Sequence, residues 1–175
     1  MGNSGPNYSE IIVTPYREEL TKAGFTQLLT PAQVDQALQT QDSQLVLVVL
    51  NSVCGCSALV GRPGTILSLL NHLVPDRLVT IFAGMEKDAT AQLREKYLSG
   101  KTPSSPNIAL FKDGKLVHIL HRHQIERMAA GDIADELTGV YNSHGRKEQS
   151  SEERERLRAL FIEKYQVDPL ELPTT

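Results

Sequence analysis

Six consecutive apolar residues, Leu45 to Leu50, stand out in a chain that otherwise mixes apolar and polar positions. Such a run, bounded by polar residues, predicts a strand buried on both faces and covered by helices. Leu78 to Ala83 predicts a second one. Around them the apolar positions recur at helical spacing. Ile11 to Gly24 reads as a helix, with Pro15 near its start and Gly24 as its stop. In Thr30 to Thr40, Thr30 offers an N-cap, Pro31 takes the first helical position, and Val34, Ala37 and Leu38 share a face. Ser57 to Val74 is a helical pattern with Leu59, Ile66, Leu69, Leu70 and Leu73 free to pack, interrupted or kinked by Pro63. Glu86 to Gly100 is a further helix, ended by its glycine. Asp113-Gly114 between two apolar runs predicts a β-hairpin. His123 to His144 predicts another helix, weakened at Gly131.

The order is therefore strand, helix, strand, helix, hairpin, helix. Alternation of the βαβ kind gives parallel strands by right-handed crossover, and the hairpin adds antiparallel strands at one edge. From Gly145 the chain becomes dense in charge. Ser150 with Glu153 fits a capping box, and Leu157, Leu160, Phe161 and Tyr165 share a face. This terminal helix is expected to dock on its own domain or stand in solvent, with a partner-binding or dimerising role as the other reading. The division is residues 1–10 as a flexible tail, 11–144 as an α/β domain and 145–175 as a charged helical extension.

Composition narrows the function. With 175 residues, 40% hydrophobic and 22% charged, the chain suits one globular domain with an appended element. A net charge of -3, no Trp and 5% aromatic residues argue against a nucleic-acid partner. No apolar run approaches the ~20 residues that span a bilayer, so no membrane association is expected. The first residues lack a signal-peptide pattern, and Pro6 stands where a myristoylation motif needs Ser or Thr. The expected location is cytoplasmic. There a lone cysteine pair points to catalysis or metal binding rather than to a structural disulfide.

That pair is Cys54 and Cys56, in Asn51-Ser-Val-Cys-Gly-Cys-Ser57, directly after the first apolar run. The turn from a strand into a helix offers unsatisfied N–H groups and the positive end of the helix dipole. Both favour a thiolate, the nucleophile of disulfide exchange. Gly55 supplies the permissive backbone that lets residues i and i+2 approach. The small ring they would close suits a transient disulfide. Cys54, before the helix and more exposed, is assigned as nucleophile. Cys56, nearer the helix body, is assigned as resolving thiol. Ser105-Pro106 opens the first hairpin strand, and an X–Pro bond there can be cis and face the thiol. Arg62, about one turn beyond the cysteines, could attract a carboxylate of a small thiol, though a solvated arginine is the plainer reading. Gly55, Ser105, Pro106 and Arg62 are thus the candidate substrate-side residues. His118, His121 and His123 are expected to be surface or loop histidines. No metal site is expected within one chain. A symmetric dimer would supply four thiolates, leaving an iron–sulfur or metal-binding dimer as the main alternative.

Strand, cysteine turn, kinked helix, strand, helix, proline-led hairpin and last helix together resemble thioredoxin, although its two-residue cysteine spacing differs from the one here. Asn51–Pro63, Val79–Gly84, Lys87–Thr90 and Pro103–Glu126 closely resemble the bacilliredoxins. The resemblance covers residues 8 to 144. It implies a thioredoxin-like fold, a central mixed β-sheet flanked by helices. It implies removal of bacillithiol, or another low-molecular-weight thiol, from mixed disulfides on client proteins, with weak disulfide isomerase activity as an alternative. Cys54 would take the small thiol onto itself, and Cys56 or a second bacillithiol would resolve it. No cofactor would be required beyond that thiol as co-substrate. A further cysteine often follows the last helix in that family. Here His144-Gly145 stands there, so no third thiol takes part.

Overall fold

The computed structural model describes residues 5–172. Helix α1 (Glu10–Lys22) closes on Gly24, whose φ of +105° no β-carbon tolerates well. Strand β1 (Thr26–Gln27) leads to α2 (Pro31–Leu38), where the Thr30 hydroxyl accepts from the Gln33 N–H. Then comes β2 (Leu45–Asn51), buried throughout. A π-helical segment (Ser57–Gly61) runs straight into α3 (Arg62–Ser68). Strands β3 (Leu73–Val74) and β4 (Arg77–Phe82) follow, then α4 (Lys87–Gln92) and a second π-helical segment (Leu93–Tyr97). The hairpin is β5 (Asn107–Lys112) and β6 (Lys115–Leu120), turned at Asp113 and Gly114 with φ of 52° and 74°. The chain ends in α5 (Arg122–Ile125), α6 (Ala130–His144), β7 (Lys147–Glu148), α7 (Ser151–Tyr165) and a 3-10 turn (Pro169–Glu171).

Among the described residues the main sheet has the order β1-β4-β2-β5-β6. β4 is parallel to both β1 and β2, while β5 is antiparallel to β2 and to β6. This is the expected α/β, thioredoxin-like arrangement of a central mixed sheet flanked by helices. Central position explains the unbroken apolar run in β2. Leu45, Leu47 and Val49 join one core with α1, α3, α6 and α7. Val46, Val48 and Leu50 join the other with α2 and α4. Helices α3 and α6 touch at Gly64, where a β-carbon would come within 2.8 Å of the Ala130 carbonyl and 2.7 Å of Ile133.

Three sequence expectations are corrected. The helix begun at Ser57 stops at Ser68, and Leu73 lies in β3, paired with β7. Leu59 does not pack: it is 78% exposed, because the widened π turn places it on the outer face. That turn absorbs Pro63 without a break, the Arg62 N–H reaching back five residues to the Ser57 carbonyl. The helix expected over 123–144 is divided at Ala129 rather than weakened at Gly131. Ala129 is extended, and its N–H donates to the Asp132 carboxylate at 2.8 Å.

Residues 1–4 of the expected tail lie outside the described residues. Asn7 donates its N–H to the Gly84 carbonyl at 2.7 Å, which lays that segment beside the corner after β4. The charged extension folds back on the domain. Ser150 accepts from the Glu153 N–H, and Leu157 and Phe161 are buried in the same core as α1 and α3. Among the described residues no helix is long and apolar enough to cross a membrane.

Candidate redox site

The site is built where β2 ends. The Cys54 carbonyl accepts from the Ser57 and Ala58 N–H groups at 3.0 and 3.2 Å, so the helix is already under way at Gly55. Cys54 sits at its cap and Cys56 in its first turn, with φ −64° and ψ −31°. The Cys54 N–H donates to the Ser52 hydroxyl at 3.0 Å. The two sulfurs are free thiols 2.7 Å apart. Both residues are half-buried. Cys54 opens into a surface cavity of about 560 Å³, while Cys56 packs against the core.

Their acidities are driven apart. Partial burial opposes ionisation of Cys54. It is outweighed by the Cys56 thiol, the Cys56 and Ser57 backbone N–H groups and the charge of Arg122, so the Cys54 pKa falls below that of an ordinary thiol. Burial pushes Cys56 up, joined by the hydrogen bond to Cys54, the developing Cys54 charge and Glu126, to about 11. Of the two, the sulfur that meets the cavity is therefore the one that ionises first.

Arg62 is not where a ligand could meet it. It is 0% exposed, beneath the cysteine turn. Its Nη1 donates to Asn51 Oδ1 at 2.9 Å, to the Ser52 carbonyl at 3.0 Å and to Ser57 Oγ at 3.0 Å. Its Nε lies 3.1 Å from Glu19 Oε2, and its guanidinium stacks 4.8 Å above the Tyr16 ring. The expected substrate contact and the expected solvated arginine are both overturned. The guanidinium clamps the end of β2 to the start of the helix. The extension completes this buried pair. Tyr165 donates its hydroxyl to Glu19 Oε2 at 2.9 Å, and burial together with the Glu19 charge raises its pKa, keeping that proton in place.

Ser105 lines the cavity with Cys54 and Gly55, and the Ser105–Pro106 bond is cis. Pro106 itself is buried at the start of β5. Sequence reasoning missed Arg94 and Arg122, which also line the cavity. Neither lies near the cysteines in sequence, and only the fold brings them there.

A family model described as disulphide isomerase matches residues 8–145. A bacilliredoxin of Halalkalibacterium halodurans is 46% identical over 138 residues, covering 79% of this chain and 94% of its own length. A bacilliredoxin of Cytophaga hutchinsonii is 45% identical over 135 residues, covering 77% and 98%. The chain belongs to the bacilliredoxin family. As a bacilliredoxin it is a thiol-disulfide oxidoreductase. Among solved structures, a thioredoxin of Malassezia sympodialis is similar with a TM-score of 0.46 and 13% identity, over 69% of this chain and 90% of that one. The part of this bacilliredoxin that follows residue 145, including α7, lies beyond the family match.

Among the described residues His118 does not converge with His121 and His123. His118 faces Glu136 at 3.2 Å, while His121 and His123 stack on each other with centroids 5.6 Å apart. The ligand atoms that converge are Cys54 Sγ, Cys56 Sγ and a Glu126 oxygen, within 4.8 Å of one another. They would offer a cation two sulfurs and a carboxylate, but Glu126 is held by Arg122 at 2.7 Å.

Proposed function

We propose that the chain reduces mixed disulfides between proteins and bacillithiol or another low-molecular-weight thiol, with Cys54 as nucleophile and Cys56 as resolving thiol. The observation that carries this reading is the opposed acidity of two thiols held 2.7 Å apart. In the first step the Cys54 thiolate attacks the small-thiol sulfur. The client's cysteine leaves as a thiolate and takes a proton from water. Cys54 now carries the small thiol in a mixed disulfide. In the second step Cys56 gives its proton to water, and its thiolate attacks the Cys54 sulfur. The small thiol leaves, and the Cys54–Cys56 disulfide remains. Alternatively a second small thiolate attacks the small-thiol sulfur of the adduct, releasing a symmetric disulfide and restoring the Cys54 thiolate. A closed Cys54–Cys56 disulfide returns to two thiols by exchange with low-molecular-weight thiols, which are oxidised in turn.

The site geometry supports this order of attack. Cys54 faces the cavity and is the more acidic. Cys56 is packed behind it and stays protonated near neutral pH, so it waits until Cys54 has been substituted. Substitution of Cys54 removes the thiolate whose charge and hydrogen bond had raised Cys56, which eases ionisation of the resolving thiol. The raised pKa of Cys56 thus relaxes at the step where its thiolate is needed.

The test is a bacillithiolated client protein incubated with the reduced chain in the absence of free thiol. Intact mass spectrometry of the wild-type chain is expected to show the Cys54–Cys56 disulfide. Cys56→Ser is expected to stop halfway and accumulate one small-thiol adduct per chain, on Cys54. A Cys56→Ser chain that gains no adduct, or a client that keeps its small thiol, contradicts the proposal. The iron–sulfur or metal-binding dimer has one observation in its favour, the convergence of Cys54, Cys56 and Glu126. Absorbance near ~400 nm in anaerobically purified protein would select it.

A further inference from the structure

The cavity beside Cys54 has a marked charge imbalance. Of its lining side chains, Arg94 and Arg122 are charged and no carboxylate joins them. Arg122 is shared with Glu126 at 2.7 Å and reaches the Ser105 carbonyl at 3.4 Å. Arg94, on the π-helical segment after α4, is half-buried. Among the described residues no ion pair reaches it. Its Nε is buried without a hydrogen-bond partner, and its Nη2 makes only a long 3.3 Å contact with the Ser104 carbonyl. Removing a guanidinium from water without a counter-charge is costly, and burial accordingly pushes the Arg94 pKa down. The rest of the wall is uncharged: the Asn7–Tyr8 segment, laid against Gly84 by the Asn7 N–H, with Ser52, Ser105, Val53 and Ala83.

A chain of net charge -3 thus lines the cavity beside its accessible thiol with two cations and no acid, while Glu126, within 4.8 Å of the sulfurs, pairs with Arg122 and leaves Arg94 without a counter-charge. The adjoining groove, which shares Arg122, adds Lys101 and Glu126 as its other charged side chains. Guanidinium groups match carboxylates in shape and charge, often through two parallel hydrogen bonds. Small thiols derived from cysteine or from hydroxy acids carry such groups a few bonds from their sulfur. We propose that Arg94 and Arg122 form an anion subsite that receives a carboxylate of the small thiol as Cys54 attacks its sulfur. The role once expected of Arg62 falls to these two residues. The proposal rests on the reading that Cys54 takes the small thiol, and it adds what that thiol must carry.

The experiment uses the full chain and one client protein bearing either of two small thiols, mercaptosuccinate, a dianion, or 2-mercaptoethanol, which is uncharged. The rate constants for removal are measured for the wild-type chain and for Arg94→Gln. The ratio of the mercaptosuccinate rate to the mercaptoethanol rate is expected to fall about tenfold in the variant, as for loss of one charge-assisted hydrogen bond. A ratio unchanged within twofold overturns the proposal, even if both rates drop, because a merely structural arginine affects both arms together. An acidic stretch on the client, as the true ligand of the arginines, would also leave the ratio unchanged and overturn it. Should Arg94→Gln fail to fold, the wild-type chain still decides. Succinate is expected to slow alkylation of Cys54 by uncharged iodoacetamide, and 1,4-butanediol is not; equal behaviour of the two overturns the subsite. If the wild-type chain removes neither small thiol, the functional reading fails and the subsite with it. If it removes both with no change of ratio in the variant, only the subsite fails.

Discussion

Cys54→Ser is expected to lower the rate of small-thiol removal from a client protein by at least about a thousandfold, with the fold intact. A serine hydroxyl fits the same space but does not ionise near neutral pH. The Cys56 thiol, the Cys56 and Ser57 N–H groups and the Arg122 charge then have no sulfur anion to stabilise. Cys56 does not substitute for it. It is packed against the core and sits at about 11 in the native pair. Loss of the Cys54 charge lets Cys56 ionise more easily, yet it remains away from the cavity mouth. The measurement is the release of bacillithiol from a client under single-turnover conditions, with circular dichroism confirming the fold. If Cys54→Ser retains wild-type rates while Cys56→Ser is inert, the two roles are reversed.

The second large effect concerns stability. Arg62→Met is expected to cost about 3–5 kcal/mol, because it leaves Glu19, 7% exposed, without its buried partner. It also strips hydrogen bonds from Asn51, Ser52 and Ser57 at the base of the cysteine turn. Lys164, 3.9 Å from Glu19, offers weak compensation from the surface. For a domain of this size the loss corresponds to a fall in Tm of roughly 10 °C. Thermal unfolding followed by circular dichroism measures it. The double variant Glu19→Gln with Arg62→Met is expected to recover part of the loss, since it removes the stranded charge. A Tm for Arg62→Met within 2–3 °C of wild type, about one kcal/mol, would show that the pair carries no such weight.

What the sequence disclosed and what it hid follow from the range of each interaction. β2 was legible because burial on both faces leaves an unbroken apolar run, and the structure places its two sets of side chains in two cores. Thr30 and Pro31 announced α2 because capping is local, and Ser150 announced α7 likewise. The two-residue strands β1, β3 and β7 are too short for any period to register. Leu59 was misread because it sits within the π turn, where 3.6-residue spacing no longer marks the buried face. The cysteine pair was visible as a candidate site from its place after β2. Arg62 was misassigned because its environment is set by Glu19, Tyr16 and Tyr165, all remote in sequence. Arg94 and Arg122 were invisible for the same reason. They arrive from separate elements, and their meaning depends on the cavity that the fold creates between them.

Everything functional derives from an acidity difference between two neighbouring sulfurs. Alkylation by iodoacetamide across a pH series, resolved for each cysteine by mass spectrometry, tests it directly, because the rate follows the thiolate fraction. Cys54 is expected to reach its plateau below the pH range of an ordinary thiol. Cys56 is expected to keep rising toward about pH 11 while Cys54 remains free. Two superimposed profiles, or a Cys56 that reacts at lower pH than Cys54, would contradict the account.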